Sequence, residues 1–199
     1  MHKISITAHA GALGTAPNTL PCVQAALAFP GADILEVDVR FLPDGTPALG
    51  HDRVGSDSPT LEAVFELMRS GQTRVNLDMK ETSHMLQAEQ LVVQYGLQVR
   101  AFLTGIEAKD VPAVWGCGIP YYLNAANAAA ALELGALGIN ISYRQCTKKL
   151  VRAAHASGLL VSVWTVDRRS AMKKMLRLGV DNITTRRPDV LKRVMRHAV

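Results

Sequence analysis

The chain alternates short apolar segments with longer amphipathic ones along nearly its whole length, and this alternation restricts the folds open to it. The short segments have the length and apolar character of β-strands. We predict strands at residues 4–9, 34–40, 47–51, 74–80, 99–104, 119–124, 137–142, 160–166 and 182–185. Helices are predicted in most of the intervals, so the chain consists of strands joined by helical crossovers.

Three of the predicted helices begin at a threonine that can cap the first turn. Thr19, Thr60 and Thr147 each precede apolar residues at helical spacing. After Thr60, the apolar stripe consists of Leu61, Val64, Phe65 and Met68. Pro21 falls in the first turn of the helix after Thr19, where a proline is tolerated.

Strands joined by helices favour a parallel sheet covered by helices. Residues 47–51 are the exception, because the turn at Pro43-Asp44-Gly45 predicts that they return as a hairpin beside residues 34–40. Eight parallel strands then remain, which predicts an α/β fold of the closed (β/α)8 TIM-barrel type, compact at 199 residues. We expect one barrel domain spanning residues 1–199. An open doubly wound sheet is the alternative, although no glycine-rich dinucleotide fingerprint follows the first strand.

The composition is typical of a soluble globular domain. Hydrophobic residues make up 48% of the chain, but no apolar run approaches the roughly 20 residues of a membrane-spanning helix. The first residues lack the apolar stretch of a signal peptide, so we expect a cytoplasmic protein with no transmembrane segment. The cysteines are odd in number and lack metal-binding spacing, which predicts free buried thiols at Cys22, Cys117 and Cys146.

Basic residues are concentrated near the end of the sequence. The net charge is +5, and ten of the 22 lysines and arginines fall between Arg168 and Arg196, mostly at solvent-facing helical positions. A solvated helix face is the simplest interpretation; attraction to anionic substrates, membranes or nucleic acid is the alternative. No aromatic residues interleave with these charges, so a nucleic-acid partner is not indicated. Nothing in the sequence indicates an oligomeric state.

Glu36 and Asp38 lie in an otherwise apolar predicted strand, where charged side chains need an explanation. Alternation along the strand places them on the face opposite Leu35, Val37 and Val39, which helices would cover. Both carboxylates then point into the barrel, near the strand end at which barrel enzymes carry out their chemistry. The same alternation points further candidate residues inward from other strands: His9, Asp78, Lys80 and Trp164.

Three converging acids, Glu36, Asp38 and Asp78, would repel one another unless a positive charge lay between them. A divalent cation, Mg²⁺ or Ca²⁺, explains the cluster, because these hard ions prefer oxygen ligands. The alternative is that the acids form ion pairs with basic side chains, for which the candidates are Lys80, Arg40 and Arg74.

Two histidines, His9 and His51, fall at the ends of predicted strands and can transfer protons near neutral pH. Taken singly, either could be a hydrogen-bonded structural residue. Together with three acids and a lysine, they indicate a site for a phosphate ester. In such a site Lys80 would offset the charge of the phosphate. Trp164 would offer an apolar wall, although core packing is an equal alternative for this tryptophan.

Several of these segments resemble the glycerophosphodiester phosphodiesterase family, in order and across nearly the whole chain. They are AHAGALGTAPNT, LEVDVRFLPDGTPALGHD, PTLEAVFELM, VNLDMK and VSVWTVDRRSAMKKMLRLGVDNITTRRP. The resemblance implies a TIM barrel, a divalent metal, and hydrolysis of glycerophosphodiesters to glycerol 3-phosphate and an alcohol. It implies His9 and His51 as the acid/base pair, and with this activity a place in lipid metabolism.

The chain also departs from the family pattern. Ala10 stands where the family usually has arginine, and residues 17–19 lack the glutamate of the usual Pro-Glu-Asn-Thr. Asp78 replaces a glutamate at the third metal position, and the insertion that usually follows His-Asp is nearly absent. Arg186 and Arg187 stand where an acidic residue is common. We expect Arg186 to bind substrate phosphate in place of the lost arginine, with plain surface exposure as the alternative.

Sphingomyelinase D relatives resemble this pattern without the arginine and cleave choline lysophospholipids, sometimes giving a cyclic phosphate. We therefore expect metal-dependent cleavage of glycerophosphodiesters or lysophospholipid-like phosphodiesters, giving an alcohol and either glycerol 3-phosphate or a cyclic phosphate. His9 as base and His51 as acid is the order that we favour. A weakened barrel that binds phosphate-containing ligands without turnover is one alternative. A metal-dependent isomerase or lyase of phosphosugars is another, although one histidine should suffice for it.

Overall fold

The computed structural model describes residues 4–197. The strands in these residues are Ser5–Ala8 (β1), Ile34–Phe41 (β2), Pro47–Leu49 (β3), Arg74–Met79 (β4), Ala101–Ile106 (β5), Tyr121–Leu123 (β6), Gly138–Ser142 (β7), Leu160–Trp164 (β8) and Asn182–Thr185 (β9). The α-helices are Leu20–Ala28 (α1), Leu61–Met68 (α2), Met85–Gln94 (α3), Val111–Val114 (α4), Ala128–Glu133 (α5), Lys148–Ala156 (α6), Arg169–Leu178 (α7) and Pro188–Arg196 (α8). Short 3₁₀ turns occur at Ala12–Gly14 and Ala108–Asp110.

Eight of the strands form a closed parallel barrel, as the alternation in the sequence predicts. Their hydrogen-bonded order is β1-β2-β4-β5-β6-β7-β8-β9, and β9 pairs with β1 to close the barrel. Thr7 of β1 lies opposite Ile34 of β2 on one side and Thr184 of β9 on the other. The remaining strand, β3, runs antiparallel to β2, which confirms the predicted hairpin. The fold is therefore a compact (β/α)8 TIM barrel, and the open doubly wound sheet is excluded.

Several strands end earlier than predicted, and this places candidate residues on loops. The strands β1, β3 and β4 end one or two residues early, so His9, His51 and Lys80 directly follow their strands. The strand predicted at 99–104 is shifted to Ala101–Ile106. The reason is a tight turn in which the N–H groups of Arg100 and Ala101 both donate to the carbonyl of Leu97 at 2.8 Å.

The threonine caps are found as predicted. Thr19, Thr60 and Thr147 precede α1, α2 and α6. Each hydroxyl oxygen accepts a hydrogen bond of 3.2–3.3 Å from the backbone N–H three residues further on. These bonds satisfy donors that the first helical turn leaves unpaired, and they fix where each helix begins.

The barrel strands separate two apolar regions. Outward-facing residues such as Val37, Leu77 and Val161 are at most 2% exposed and pack in the main core between strands and helices. A smaller cluster inside the barrel consists of residues from the early part of their strands: Ile34, Phe102 and Tyr122. The two aromatic rings of this cluster have centroids 5.3 Å apart. Because this cluster fills the amino-terminal end of the barrel, only the opposite end is open to a ligand.

Above this cluster the interior of the barrel is polar. Thr7 donates to Oδ1 of Asn182 at 2.7 Å, and Nδ2 of Asn182 donates to the hydroxyl of Ser162 at 3.0 Å. These side chains are buried but bonded to one another, which offsets the cost of removing them from water. Hydrogen-bonded polar side chains, and not an apolar core, therefore fill the barrel below its open end.

No helix within residues 4–197 is long and apolar enough to cross a membrane. All three cysteines are free and buried, as predicted. Burial raises the pKa of the Cys117 and Cys146 thiols. These two side chains therefore stay protonated at neutral pH and behave as small apolar residues.

Candidate active site

A cavity of about 620 Å³ opens at the carboxyl ends of the barrel strands. All of the site residues proposed from the sequence line it: His9, Glu36, Asp38, His51, Asp78, Lys80, Trp164 and Arg186. The structure thus brings together residues that are spread over most of the chain. The catalytic or binding role of each residue stays a prediction.

The three acids converge because of the strand register. Glu36 and Asp38 face the barrel interior from β2, and Asp38 stands directly opposite Asp78 of β4. Glu36 and Asp38 are each 2% exposed, whereas Asp78 is half-buried. One oxygen from each carboxylate lies within 4.8 Å of the other two. The three acids therefore form one cluster rather than separate surface charges.

Lys80 already neutralises part of this cluster. Its Nζ lies 2.8 Å from Oδ1 of Asp38 and also forms an ion pair with Asp78. The ion-pair alternative is thus correct for Lys80. It is wrong for the two arginines, which have other partners: Arg40 pairs with Glu81, and Arg74 lies over the ring of Phe102. One lysine cannot neutralise three carboxylates, so the cluster can still bind a further cation.

Asn18 is a charged-cluster contact that the sequence interpretation missed. Its Nδ2 donates to Oδ2 of Asp38 at 2.7 Å, and the backbone N–H of Asp38 donates back to Oδ1 of Asn18 at 3.3 Å. The backbone of Asn18 has φ 56°, in the left-handed region that asparagine tolerates better than most residues. The only signal in the sequence is an asparagine between a proline and a helix-capping threonine, which marks a turn but not its contact with Asp38.

The charges of Asp38 and Lys80 are stabilised by their surroundings. Burial alone would raise the pKa of Asp38, but the hydrogen bond from Asn18 and the neighbouring Lys80 lower it overall. For Lys80, burial would lower the pKa, but Asp78 and Asp38 raise it overall. Both groups are therefore ionised at neutral pH, and Asp38 can contact a cation without first losing a proton.

The cluster fits a bound divalent metal. Oδ1 of Asp38 is buried and accepts no hydrogen bond from the described residues, because its ion pair with Lys80 lacks hydrogen-bond geometry. Among the described residues its charged contact is Nζ of Lys80 at 2.8 Å, so this oxygen still offers a lone pair to a metal ion. The ligand set contains only oxygen, which suits Mg²⁺ or Ca²⁺ better than zinc. Glu36, Asp38 and Asp78 are the residues that would hold the ion.

His9 is fixed against Glu36. Its Nδ1 lies 2.6 Å from Oε2 of Glu36, and the same oxygen accepts the backbone N–H of Ala10 at 2.7 Å. Burial alone would lower the pKa of His9, but the charge and hydrogen bond of Glu36 raise it overall, while Arg186 acts in the opposite direction. Because Nδ1 is occupied, Nε2 is the ring nitrogen that can exchange a proton with a ligand.

His51 lies at the open rim of the cavity. Its side chain is 64% exposed, and its Nδ1 lies 2.7 Å from Oδ1 of Asp52. Arg40 fixes the loop, because its Nε donates to the carbonyl of His51 at 2.9 Å. The two histidines therefore line the same cavity from different depths, with His9 mostly buried and His51 facing water.

Trp164 and Arg186 border the mouth of the cavity. Trp164 ends β8 and is 41% exposed, so the core-packing alternative for this tryptophan is wrong. Arg186 follows β9, and Asp167 holds it by accepting its backbone N–H at 2.8 Å and by an ion pair at 3.5 Å. Both Arg186 and Arg187 are exposed, but Arg187 pairs with Asp189 and does not line the cavity.

Uncharged polar side chains form the cavity floor. The hydroxyl of Thr104 lies 2.7 Å from Oδ1 of Asp78 and 2.9 Å from Oδ1 of Asn76. Nearby, Nδ2 of Asn140 donates to Oδ1 of Asn124 at 3.0 Å. The sequence interpretation assigned no role to these side chains. Strand alternation was the signal that could have found Thr104 and Asn140, since both lie on the inward face of their strands.

Known proteins share this fold and much of the sequence pattern. The glycerophosphoryl diester phosphodiesterase family matches residues 104–190 of the chain. A glycerophosphodiester phosphodiesterase of Caldanaerobacter subterraneus subsp. tengcongensis is 24% identical over 247 aligned positions, covering 98% of this chain and 98% of the relative. Since the alignment is longer than the 199 residues of the chain, the relative contains segments that this chain lacks.

Solved structures are similar over almost the whole chain. A glycerophosphodiester phosphodiesterase from Parabacteroides distasonis has a TM-score of 0.84 at 20% identity, covering 100% of this chain and 99% of that one. One from Agrobacterium tumefaciens has a TM-score of 0.83 at 20% identity, covering 98% and 100%. An Oleispira antarctica phosphodiesterase in complex with the product sn-glycerol-3-phosphate has a TM-score of 0.81 at 18% identity, covering 96% of each chain.

The barrel and its matches define the class of the protein as a phosphodiesterase enzyme built on a (β/α)8 fold. The chain is similar to the glycerophosphoryl diester phosphodiesterase family over residues 104–190, and to a relative of that kind over nearly its whole length. Its loop after β3 is short, since residues 50–60 alone join β3 to α2.

Proposed function

We propose that the chain hydrolyses glycerophosphodiesters to glycerol 3-phosphate and an alcohol, with a divalent metal, Mg²⁺ or Ca²⁺, as cofactor. The observation that carries this proposal is the cluster of three carboxylate oxygens within 4.8 Å of one another, in the cavity that His9 and His51 also line. Two findings support the choice of substrate: the match to the family and the related structure in complex with sn-glycerol-3-phosphate.

Glu36, Asp38 and Asp78 would hold the metal at the bottom of the cavity. When bound, the ion would supply Lewis acidity toward a non-bridging oxygen of the phosphate. Lys80 lies against two of these acids and presents a fixed positive charge to the same phosphate. Because the lysine is held on both sides, its charge does not have to reorganise as negative charge builds up in the transition state.

His9 acts as the general base in this proposal. The contact between Nδ1 and Glu36 leaves Nε2 to take a proton from the attacking hydroxyl, which belongs to water or to the glycerol of the substrate. Glu36 orients the ring and stabilises the imidazolium that forms, as a carboxylate does in a catalytic triad. The raised pKa of His9 makes it a stronger base and supports this assignment.

His51 acts as the general acid. Its position at the open rim places it on the side from which an alcohol can leave toward water. The contact of 2.7 Å between its Nδ1 and Asp52 orients the ring and leaves Nε2 free to donate a proton. A proton transfer of this kind typically contributes about 10²–10⁴-fold to the rate.

Arg186 takes the place of the phosphate-binding arginine that Ala10 does not supply. It borders the same cavity, close enough to His9 for its charge to oppose protonation of the imidazole. Its ion pair with Asp167 is long, at 3.5 Å, and partly exposed, so a bound phosphate can compete with this carboxylate for the guanidinium. The planar donors of a guanidinium suit two phosphate oxygens at once.

The open mouth of the cavity extends the proposal to larger substrates. The loop of residues 50–60 is short, and Trp164 presents an apolar surface at the rim. A lysophospholipid-like diester could lay an acyl chain or a large head group across this surface. Attack by the hydroxyl of such a substrate, rather than by water, would give a cyclic phosphate.

The proposal is tested by measuring release of glycerol 3-phosphate from glycerophosphodiesters with Mg²⁺, with Ca²⁺ and with a chelator. The wild-type chain should cleave at least one diester, and only with metal. Glu36→Gln should be inactive under all three conditions, because it removes a metal ligand and the partner of His9. Glu133→Gln, which changes an exposed carboxylate at the end of α5, should behave like the wild type.

Two results would contradict the proposal. Cleavage that continues at full rate with the chelator would refute the role of the metal. Metal-dependent binding of a diester without cleavage would favour the alternative of a barrel that binds phosphate-containing ligands without turnover.

A further inference from the structure

The charge of the molecule is divided unevenly between two parts of the barrel. Residues 147–197, which contain α6, α7 and α8, hold 13 of the 22 lysines and arginines but only 3 of the 17 aspartates and glutamates, a net charge of +10. The rest of the chain therefore carries a net charge of −5. A separation of this size produces a strong positive potential on one side of the molecule.

The positive side contains a groove between α7 and α8, outside the catalytic cavity. The groove has a volume of about 900 Å³. Its lining, called the basic groove below, consists of Arg169, Lys173, Leu176, Arg177, Arg193, Val194 and His197. Basic side chains predominate, and no acidic side chain of the described residues lines it.

Most of the charge in the basic groove is uncompensated. Arg193 pairs with Asp189 at 2.9 Å. Arg169, Lys173 and Arg177, by contrast, form no ion pair with any carboxylate within residues 4–197. A positive surface of this kind repels itself unless an anionic partner covers it.

Exposed cations on the opposite side of the barrel are arranged differently. Arg69, after α2, pairs with Glu66 at 3.0 Å, and Lys109, before α4, pairs with Glu107 at 2.8 Å. These two cations are therefore compensated by neighbouring carboxylates, unlike Arg169, Lys173 and Arg177 in the basic groove.

The form of the basic groove favours a lipid surface over a nucleic acid. Met172 and Met175 are buried on the apolar side of α7, which packs against the barrel strands. Lys173 and Arg177 are exposed on the polar side of this amphipathic helix. Leu176 adds apolar area between the cations. No Phe, Tyr or Trp side chain of the described residues lines the groove, so it lacks the large stacking platforms with which proteins hold single-stranded nucleic acids.

The basic groove and the catalytic cavity contain residues that are close in sequence. Arg169 begins α7, only a few residues after Trp164 at the end of β8. Arg186 lines the cavity itself, two residues before the start of α8. The groove and part of the cavity are therefore built on the same two strand–helix units, β8 with α7 and β9 with α8.

We propose that the basic groove binds the surface of a membrane rich in anionic phospholipids. Binding is electrostatic, with the free cations of α7 opposite lipid phosphates and with Leu176 against the interface. The inference goes beyond the hydrolytic activity, because it concerns a different face of the barrel and holds for any reaction in the cavity.

The test is co-sedimentation of the full chain with vesicles, either of phosphatidylcholine alone or of phosphatidylcholine with phosphatidylglycerol. The chain should bind only the anionic vesicles, and binding should fall as salt is raised. One Lys or Arg near such a surface strengthens binding about fivefold, so the double variant Lys173→Gln/Arg177→Gln should bind about 25-fold more weakly. The control Arg69→Gln/Lys109→Gln removes equal charge from the opposite side and should bind like the wild type.

Circular dichroism and thermal unfolding of both double variants show whether they are folded, and all four positions are exposed. Equal weakening in the two pairs would overturn the proposal, since net charge rather than the groove would then control binding. Absence of binding to anionic vesicles at low salt would also overturn it. So would tighter binding to a double-stranded or single-stranded oligonucleotide than to vesicles in the same buffer, which would assign the groove to nucleic acid.

Discussion

The contact between Asn18 and Asp38 gives a prediction whose size can be worked out from the structure. Asn18 donates to a buried, ionised carboxylate at 2.7 Å and receives a hydrogen bond of 3.3 Å from the backbone of Asp38. Replacing Asn18 by glycine removes both bonds but keeps a backbone that accepts φ 56°. Replacing it by alanine removes both bonds and adds the strain of a left-handed alanine.

The expected losses differ between these two variants. A hydrogen bond to a charged group contributes about 1.5–3 kcal/mol, and a neutral one about 0.5–1.5 kcal/mol. Asn18→Gly should therefore lower the free energy of unfolding by about 2–4 kcal/mol in metal-free protein. Asn18→Ala should lower it by about 1 kcal/mol more, because of the cost of the left-handed backbone.

The effect should also depend on pH, because Asn18 stabilises the ionised form of Asp38. The pKa of Asp38 is lower in the folded chain than its ordinary value of about 3.9. A group of this kind contributes its stability above the unfolded value and loses it as the pH falls through the folded value. The difference in free energy of unfolding between wild type and Asn18→Gly should therefore be constant from about pH 5 to about pH 7. It should shrink below about pH 4.

Urea denaturation with a chelator, followed by circular dichroism at several pH values, measures these differences. Asn127→Gly is a matched control, because Asn127 caps α5 through hydrogen bonds but lies far from the acids in sequence and contacts no carboxylate. Its effect should not change with pH. A loss below about 0.5 kcal/mol for Asn18→Gly, or a loss that is the same in acid as at neutral pH, would refute the role given to this contact.

Three further predictions concern the chemistry of the site. His9→Ala and His51→Ala should each reduce turnover by about 10²–10⁴-fold, measured as product release at saturating substrate. Arg186→Ala should raise the KM for the diester by at least about tenfold, and adding Ala10→Arg should restore part of the loss if that position still faces phosphate. Lys80→Met leaves the buried Asp38 and the half-buried Asp78 without their cation, so the metal-free Tm should fall and added Ca²⁺ should raise it more than in the wild type.

Each of these predictions has a control and a contrary result. His197→Ala, at an exposed position outside the cavity, should keep wild-type turnover; a normal rate in His9→Ala or His51→Ala would remove that residue from the mechanism. Arg187→Ala should leave KM unchanged, and an equal effect at both arginines would mean that only the overall potential matters. A Lys80→Met variant as stable as the wild type without metal would mean that the aspartates do not need the lysine.

The barrel could be predicted because outward-facing and inward-facing residues alternate along its strands. In β2, alternation between Leu35, Val37 and Val39 on one side and Glu36 and Asp38 on the other specifies which residues face helices and which face the interior. Parallel strands in register then bring Asp78 level with Asp38. Local pattern and simple geometry are enough for these positions.

Contacts between loops were beyond this reasoning. Asn18 reaches Asp38 because the chain between β1 and α1 turns back over the barrel, and no periodicity describes that turn. The position of Lys80 between two acids depends on where β4 ends, because Lys80 directly follows this strand and predicted boundaries are least exact. The sequence offered the lysine as one of three possible partners, and only the packed structure separates it from Arg40 and Arg74.

The basic groove illustrates a different limit. The excess of lysine and arginine near the end of the chain is plain in the sequence, and a solvated helix face was its simplest interpretation. Whether such charges are paired depends on neighbouring helices, which are known only once α7 and α8 lie side by side. The structure leaves Lys173 and Arg177 unpaired and so makes an anionic partner worth testing.

A crystal structure of the chain grown with Ca²⁺ or Mn²⁺, with the ion located by anomalous scattering, tests the site most directly. We expect one ion in contact with an oxygen of each of Glu36, Asp38 and Asp78, at about 2.0–2.6 Å. Nε2 of His9 should face the same cavity. An ion bound elsewhere, or three acids that bind only Lys80 at saturating metal, would contradict the proposed chemistry.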